Sequence, residues 1–227
     1  MGCVVAILFV LGASSCKRAT EFFSTQAESE HSFSTENDNE QSSGLREGDV
    51  VFQISQSNQS PFVISATGTE WSHCGIIVEE DRGIYVLEAS NTVRLTPYSQ
   101  WVAKGKDGVV KVCRYTAKPV KIDYSKYLGK QYDLQFSFDN DKWYCSELVY
   151  DIYKTQLGIE ICKPRPVSSY NTRGLDIVME KRKIKESQMV VAPSDLCDKG
   201  KVISEGSGIG GLVKIKKSLG RFLKHNR

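Results

Sequence analysis

Seven cysteines are present, yet no two are spaced as C-x-x-C, which argues against a zinc knuckle or a thioredoxin-type redox pair. Histidine is scarce, with three in 227 residues. No apolar run is long enough to cross a bilayer as a helix. The formal net charge is only +3, too small to argue for a nucleic-acid partner. Internal repeats are absent. What is there is an ordinary globular composition, 40% hydrophobic and 25% charged, sufficient for one domain with tails.

The two ends of the chain differ from its middle. Val4 to Leu11 is apolar and is followed by Gly12, Ala13, Ser14, Ser15 and Cys16. This reads as a secretory signal over residues 1–16, with Cys16 in a lipobox-like position for lipidation. The expected setting is then the bacterial cell envelope, lipid-anchored to a membrane. No Lys or Arg precedes the run, which leaves a buried N-terminal strand as one alternative. Myristoylation at Gly2 is another, although Ala6 stands where Ser or Thr is favoured. Residues 17–43 are rich in Ser, Thr, Glu, Asn and Gln and predict a disordered tether. Residues 205–227 form a basic tail, with Leu212, Ile215, Leu219, Phe222 and Leu223 at helical spacing among Lys214, Lys216, Lys217, Arg221 and Lys224. Such a helix can lie on an anionic membrane or dock on the domain, with Gly206, Gly208, Gly210 and Gly211 as its hinge.

Residues 44–204 carry the ordered pattern. Strand signals begin at Asp49 to Gln53, recur at Cys74 to Val78 and at Gly83 to Ala89, and again at Gly108 to Tyr115. The turn-like residues Glu79 to Arg82 predict a hairpin between the second and third strands. Short helices are expected at Pro61 to Thr67, at Thr96 to Ala103 and from Asp123 to Gly129. Val190 to Pro193 reads as an edge strand. Tyr144 to Leu157 is the strongest helix, with Leu148, Val149, Ile152 and Leu157 near helical period and Gly158 as its stop. Strands followed by one strong helix predict an α+β domain, with helices packed against an antiparallel sheet.

His31 falls in the tether and His225 in the tail, so His73 is the one candidate base within the domain. A lone His is more often structural, but Cys145 begins the strongest helix, where the helix dipole favours a thiolate. An imidazole beside such a Cys makes an activated nucleophile. Cys74, Cys113 and Cys162, within or beside apolar runs, read as buried structural thiols. With Cys3 in the signal and Cys16 lipidated, five cysteines remain; an odd number fits one free reactive thiol and leaves room for one or two disulfides. Glu88 interrupts an apolar strand, where a carboxylate is costly unless paired. On a strand adjacent to His73 it can hold the imidazole in the useful tautomer.

Gly48-Asp49-Val50-Val51-Phe52 and His73-Cys74-Gly75-Ile76-Ile77-Val78 resemble the strand pair that carries the base in NlpC-type papain-like hydrolases. There the nucleophilic Cys comes first; here Tyr144-Cys145-Ser146-Glu147-Leu148-Val149 comes after. That order resembles the circularly permuted papain-fold amidases of the YiiX/YaeF type. Glu88-Ala89, Gly129 to Asp133 and Pro193 to Leu196 also fit, and the resemblance spans about residues 44–204. It implies an antiparallel sheet or small barrel with the nucleophile on a helix N-terminus. It implies Cys145 as nucleophile, His73 as base and Glu88 as orienting group, with Tyr132 and Tyr144 as pocket candidates. No metal or cofactor is implied. The implied reaction is acyl transfer from a small amide, peptide or lipid-linked substrate to water. A membrane-tethered binding module without turnover, or an acyltransferase using the same thioester, are the alternatives.

Overall fold

The structure, a computed structural model, describes residues 44–138, 140–197 and 200–207. The signal-like segment with Cys16, the tether and residues 208–227 of the basic tail lie outside the described residues.

Alternating side chains build the sheet. In β1 (Val50–Ser55) Val50 and Phe52 join one apolar cluster and Val51 the other. The same division holds along β2 (His73–Glu80), where Cys74, Ile76 and Val78 oppose Ile77, and along β3 (Gly83–Ala89), where Leu87 and Ala89 oppose Val86. With β4 (Val93–Pro97), β5 (Gly105–Arg114) and β10 (Lys201–Ser207), these strands form a six-stranded sheet of order β10-β5-β1-β2-β3-β4, antiparallel throughout. Two two-stranded pairs lie apart from it: β6 (Gln131–Tyr132) with β7 (Lys142–Trp143), and β8 (Arg165–Pro166) with β9 (Met189–Val190).

Both faces are covered. The helix α3 (Cys145–Gln156) lays Leu148, Val149, Ile152 and Tyr153 on the face of Val50, Phe52 and Ile76. On the other face α2 (Tyr98–Lys104) packs Tyr98, Trp101 and Val102 against Val51, Ile77 and Val112. Three short helices complete the domain: α1 (Ser60–Thr67), α4 (Asp176–Arg182) and α5 (Pro193–Cys197). The Gly48-Asp49 motif ties the start of β1 down. The Asp49 carboxylate accepts two bonds from Arg114 on β5, at 2.7 and 2.6 Å, and the Tyr153 hydroxyl of α3 donates to the Gly48 carbonyl.

The α+β class, the hairpin and the strong helix stand as the sequence indicates. Other expectations change. Asp123 starts no helix: its Oδ1 accepts the N–H and the hydroxyl of Ser125, at 3.0 and 2.6 Å, and this local turn chemistry competes with helix formation. Thr96 and Pro97 end β4, so the helix that follows begins at Tyr98. The edge strand expected at 190–193 is reduced to Met189–Val190, because Pro193 opens α5. Gly206, expected in a hinge, is a strand residue paired with Val110. None of the five described cysteines is in a disulfide, and the sulfurs of Cys113 and Cys197 lie 3.9 Å apart.

Candidate active site

Cys145 is the first residue of α3, where backbone N–H groups have no helical partner and the dipole favours an anion. Tyr144 before it is extended, and the Glu147 carboxylate reaches back to accept the Tyr144 N–H at 3.3 Å, which fixes this start. Packing of α3 on the sheet brings Cys145 to the first residues of β2. Its sulfur takes hydrogen bonds from the Cys74 thiol and backbone N–H and from the His73 imidazole. The Cys74 bond is the strongest influence and burial opposes it, but with His73 added the Cys145 pKa lies well below the ordinary thiol value. Burial pushes the Cys74 thiol up, so it stays protonated and can donate.

His73 stands at the sheet's end and meets groups from both faces. Its Nε2 lies 2.7 Å from Glu88 Oε2, and its ring stacks on Trp101 with centroids 6.1 Å apart. Burial works against charge on the ring, but the bonds to Cys145 and Glu88 outweigh it and push the pKa up to about 10.

Glu88 is only 3% exposed and is satisfied from four sides. Oε1 accepts from the Thr96 hydroxyl at 2.6 Å and from Arg94 Nε and Nη2, each at 3.3 Å; Oε2 accepts from the Trp101 indole at 3.2 Å and bonds His73. Burial favours the neutral acid, yet His73 first, then Thr96 and Arg94, bring its pKa down to about 2.

The Tyr132 hydroxyl also bonds Cys145, and burial holds it protonated. Tyr144 plays a more structural part: it is buried, its hydroxyl accepts the Val191 N–H at 3.2 Å, and its ring packs edge-on against Phe136. Both tyrosines line a cavity of about 370 Å³ that reaches Cys145, His73 and Glu88.

All five residues singled out within the domain therefore meet at one place. Cys74, Arg94, Thr96 and Trp101 were missed. Glu88 faces Arg94 across the β3–β4 pairing, and Thr96, two residues on, points the same way. A search for donors to a carboxylate in an apolar strand could have found these two. Cys74 and Trp101 leave no such trace. Among the described residues no group of three or more His, Cys, Asp or Glu is placed to hold a metal ion.

Residues 44–203 match the description of the permuted papain-like amidase enzymes, YaeF/YiiX, C92 family. The chain belongs to this family. A relative among permuted papain-like amidases is the uncharacterized protein YiiX of Escherichia coli strain K12, 36% identical over 131 residues. That match takes in 55% of this chain and 65% of YiiX, so just under two thirds of the relative is spanned. The crystal structure described as metalloprotein yiiX from E. coli O157:H7, DUF1105, superposes with a TM-score of 0.64 at 29% identity, covering 71% of this chain and 98% of that one. The family's description as permuted agrees with the order seen here, in which β1 and β2 precede α3.

Proposed function

We propose that this protein is a thiol hydrolase that cleaves an amide or ester bond through a thioester on Cys145. The observation that carries the reading is the chain of contacts Glu88–His73–Cys145, with the sulfur at a helix N-terminus. Glu88 engages Nε2, which leaves Nδ1 for proton exchange with the sulfur. In the resting site the proton rests on His73 and the charge on Cys145.

The thiolate attacks the carbonyl carbon, forming a C–S bond and an oxyanion. The backbone N–H of Cys145, at the helix start, and the Tyr132 hydroxyl are the donors we assign to that charge. Collapse expels the amine or alcohol, which takes the proton from His73. Water, deprotonated by His73, then attacks the thioester, releasing the acid and restoring the thiolate–imidazolium pair. The E. coli relative is described as a metalloprotein. The described donors of this chain do not assemble an ion site, and no step here is routed through one.

Iodoacetamide should label Cys145 ahead of Cys74, Cys113, Cys162 and Cys197 at neutral pH, and Cys145→Ala should abolish turnover of a chromogenic ester while leaving the thermal melt in place. Equal labelling of Cys113 or Cys162 in the folded protein would sink the assignment. Adding an amine acceptor and identifying the product separates hydrolysis from acyl transfer to a non-water acceptor.

A further inference from the structure

Cys113 and Cys197 are 84 positions apart in sequence, yet their sulfurs lie 3.9 Å apart. The alternation of β5 sends Val110 and Val112 into one apolar cluster and Cys113 into the other, where it meets Cys197 at the end of α5. The chain after α5 closes over the same spot. A Cβ at Gly200 would lie 2.8 Å from Cys113 Cβ and 2.6 Å from Cζ of the Tyr115 ring, so only glycine fits there. A disulfide needs the sulfurs to approach to about 2.05 Å, a movement shared by two short side chains.

The two thiols stand in different surroundings. Cys113 is buried, and its bond to Cys197, with burial next, pushes its pKa up and keeps its proton on. Cys197 lines a surface recess with Thr69, Glu70, Trp71, Lys111 and Ser194. Lys111 bonds Cys197, and its ammonium lies 3.6 Å from Glu205 and 5.8 Å from the centre of the Trp71 ring. A positive charge beside a thiol is the setting in which a cysteine becomes reactive.

We infer that Cys113 and Cys197 are a disulfide-forming pair, with Cys197 meeting the oxidant at the recess and Cys113 completing a bond that staples α5 to β5. The oxidant is itself a disulfide. The Cys197 sulfur attacks one of its sulfurs, forms a mixed disulfide and expels one thiolate. Cys113 then gives up its proton and attacks the Cys197 sulfur, expelling the second thiolate. Two electrons pass from the pair to the oxidant, which leaves as two thiols carrying the two protons.

The staple bears on the support of the nucleophile. Just before α5, the Val191 carbonyl accepts the Ser146 hydroxyl at 2.7 Å, and the Val191 N–H donates to the Tyr144 hydroxyl at 3.2 Å. The start of α3 is thereby tied to the segment that leads into α5. The loop that the bond closes contains all of α3, and closing it restricts the unfolded chain.

The test is to reduce the full-length protein, incubate it with oxidised glutathione and digest it without reductant. Mass spectrometry should find the Cys113 and Cys197 peptides linked. The Tm should rise by roughly 5–15 °C over that of the reduced protein, and dithiothreitol should reverse the gain. Cys74→Ala and Cys162→Ala should retain the gain. Cys113→Ala and Cys197→Ala should each lose it, with Cys197→Ser, at the edge of the recess, standing in where either fails to fold. Three results overturn the proposal: a link between other cysteines, a lasting glutathione adduct on Cys197 with Cys113 still a thiol, or a Cys113–Cys197 link that leaves the Tm unchanged.

Discussion

Glu88 shows how a single side chain can be held against its own burial. An isolated carboxylate at that depth would take up a proton, but Thr96, Arg94 and Trp101 together with an imidazolium keep it charged. The charge then holds His73 protonated, and His73 holds Cys145 ionised. The pH consequences follow in sign. His73 is raised from 6.5 to about 10, so its contribution to stability is complete below its ordinary value and is lost as the pH rises through about 10. Glu88 is lowered from 4.5 to about 2, so its contribution is complete above its ordinary value and is lost as the pH falls toward about 2. On the proposed mechanism, activity needs the thiolate and the imidazolium together. The expected profile of kcat/KM is therefore flat through neutral pH and falls on the alkaline side near 10. Because the Cys145 bond is the largest influence raising His73, Cys145→Ala should lower the His73 pKa more than Glu88→Gln does. With three histidines in the chain, imidazole proton NMR can follow this directly. A His73 that titrates identically in both variants would remove the ion pair from the mechanism.

At the scale of elements, the pairing of β2 with β3 sets the distance between base and orienting group. Ile76 faces Leu87, which places Gly75 beside Glu88. A Cβ at Gly75 would lie 2.4 Å from Val86 Cγ1 and 2.8 Å from the Leu87 carbonyl oxygen, so the two strands close only over glycine. Gly75→Ala is expected to cost about 1–3 kcal/mol in urea denaturation. It should also lower activity further than the stability loss accounts for, since prying these strands apart lengthens the 2.7 Å bond from His73 to Glu88. A variant that loses stability while keeping full kcat would show that the register does not govern the pair. Sequence alone made much of this arrangement legible. Alternation marked β1, β2, β3 and β5, helical period marked α3, and an unpaired carboxylate in an apolar strand marked Glu88. What it hid was tertiary. Trp101 reaches Glu88 only because α2 folds back over the opposite face of the sheet. Cys74 reaches Cys145 only because α3 begins against β2. Part of the cavity wall comes from α1 and α4, two short helices whose apolar residues never become fully buried and so leave little periodic signal.

For the molecule as a whole, the sheet explains why permutation costs nothing at the site. The base strands and the nucleophile helix meet through packing of α3 on the face of β2, and their order along the chain does not enter that contact. The described residues begin at residue 44, and the sequence before them holds apolar residues 4–11, small residues, Cys16 and a polar stretch. No helix among the described residues is long and apolar enough to cross a membrane. We propose that attachment to a membrane uses lipid at Cys16 together with the basic tail. One acyl chain binds a bilayer only marginally, whereas a chain with a basic patch binds stably. The Cys16→Ser protein is expected to leave the membrane fraction or to stay unprocessed. Deleting residues 209–227 should weaken retention more at low salt than at high salt, because screening at high salt has already removed the attraction of Lys214, Lys216, Lys217, Arg221 and Lys224 for anionic lipid. Mass spectrometry of the mature protein decides the first step: an intact Met1 with an unmodified Cys16 ends the lipid-anchor reading. It would leave the proposed chemistry at Cys145 untouched, since the groups that act on that sulfur, Cys74, His73 and Tyr132, all lie after residue 44.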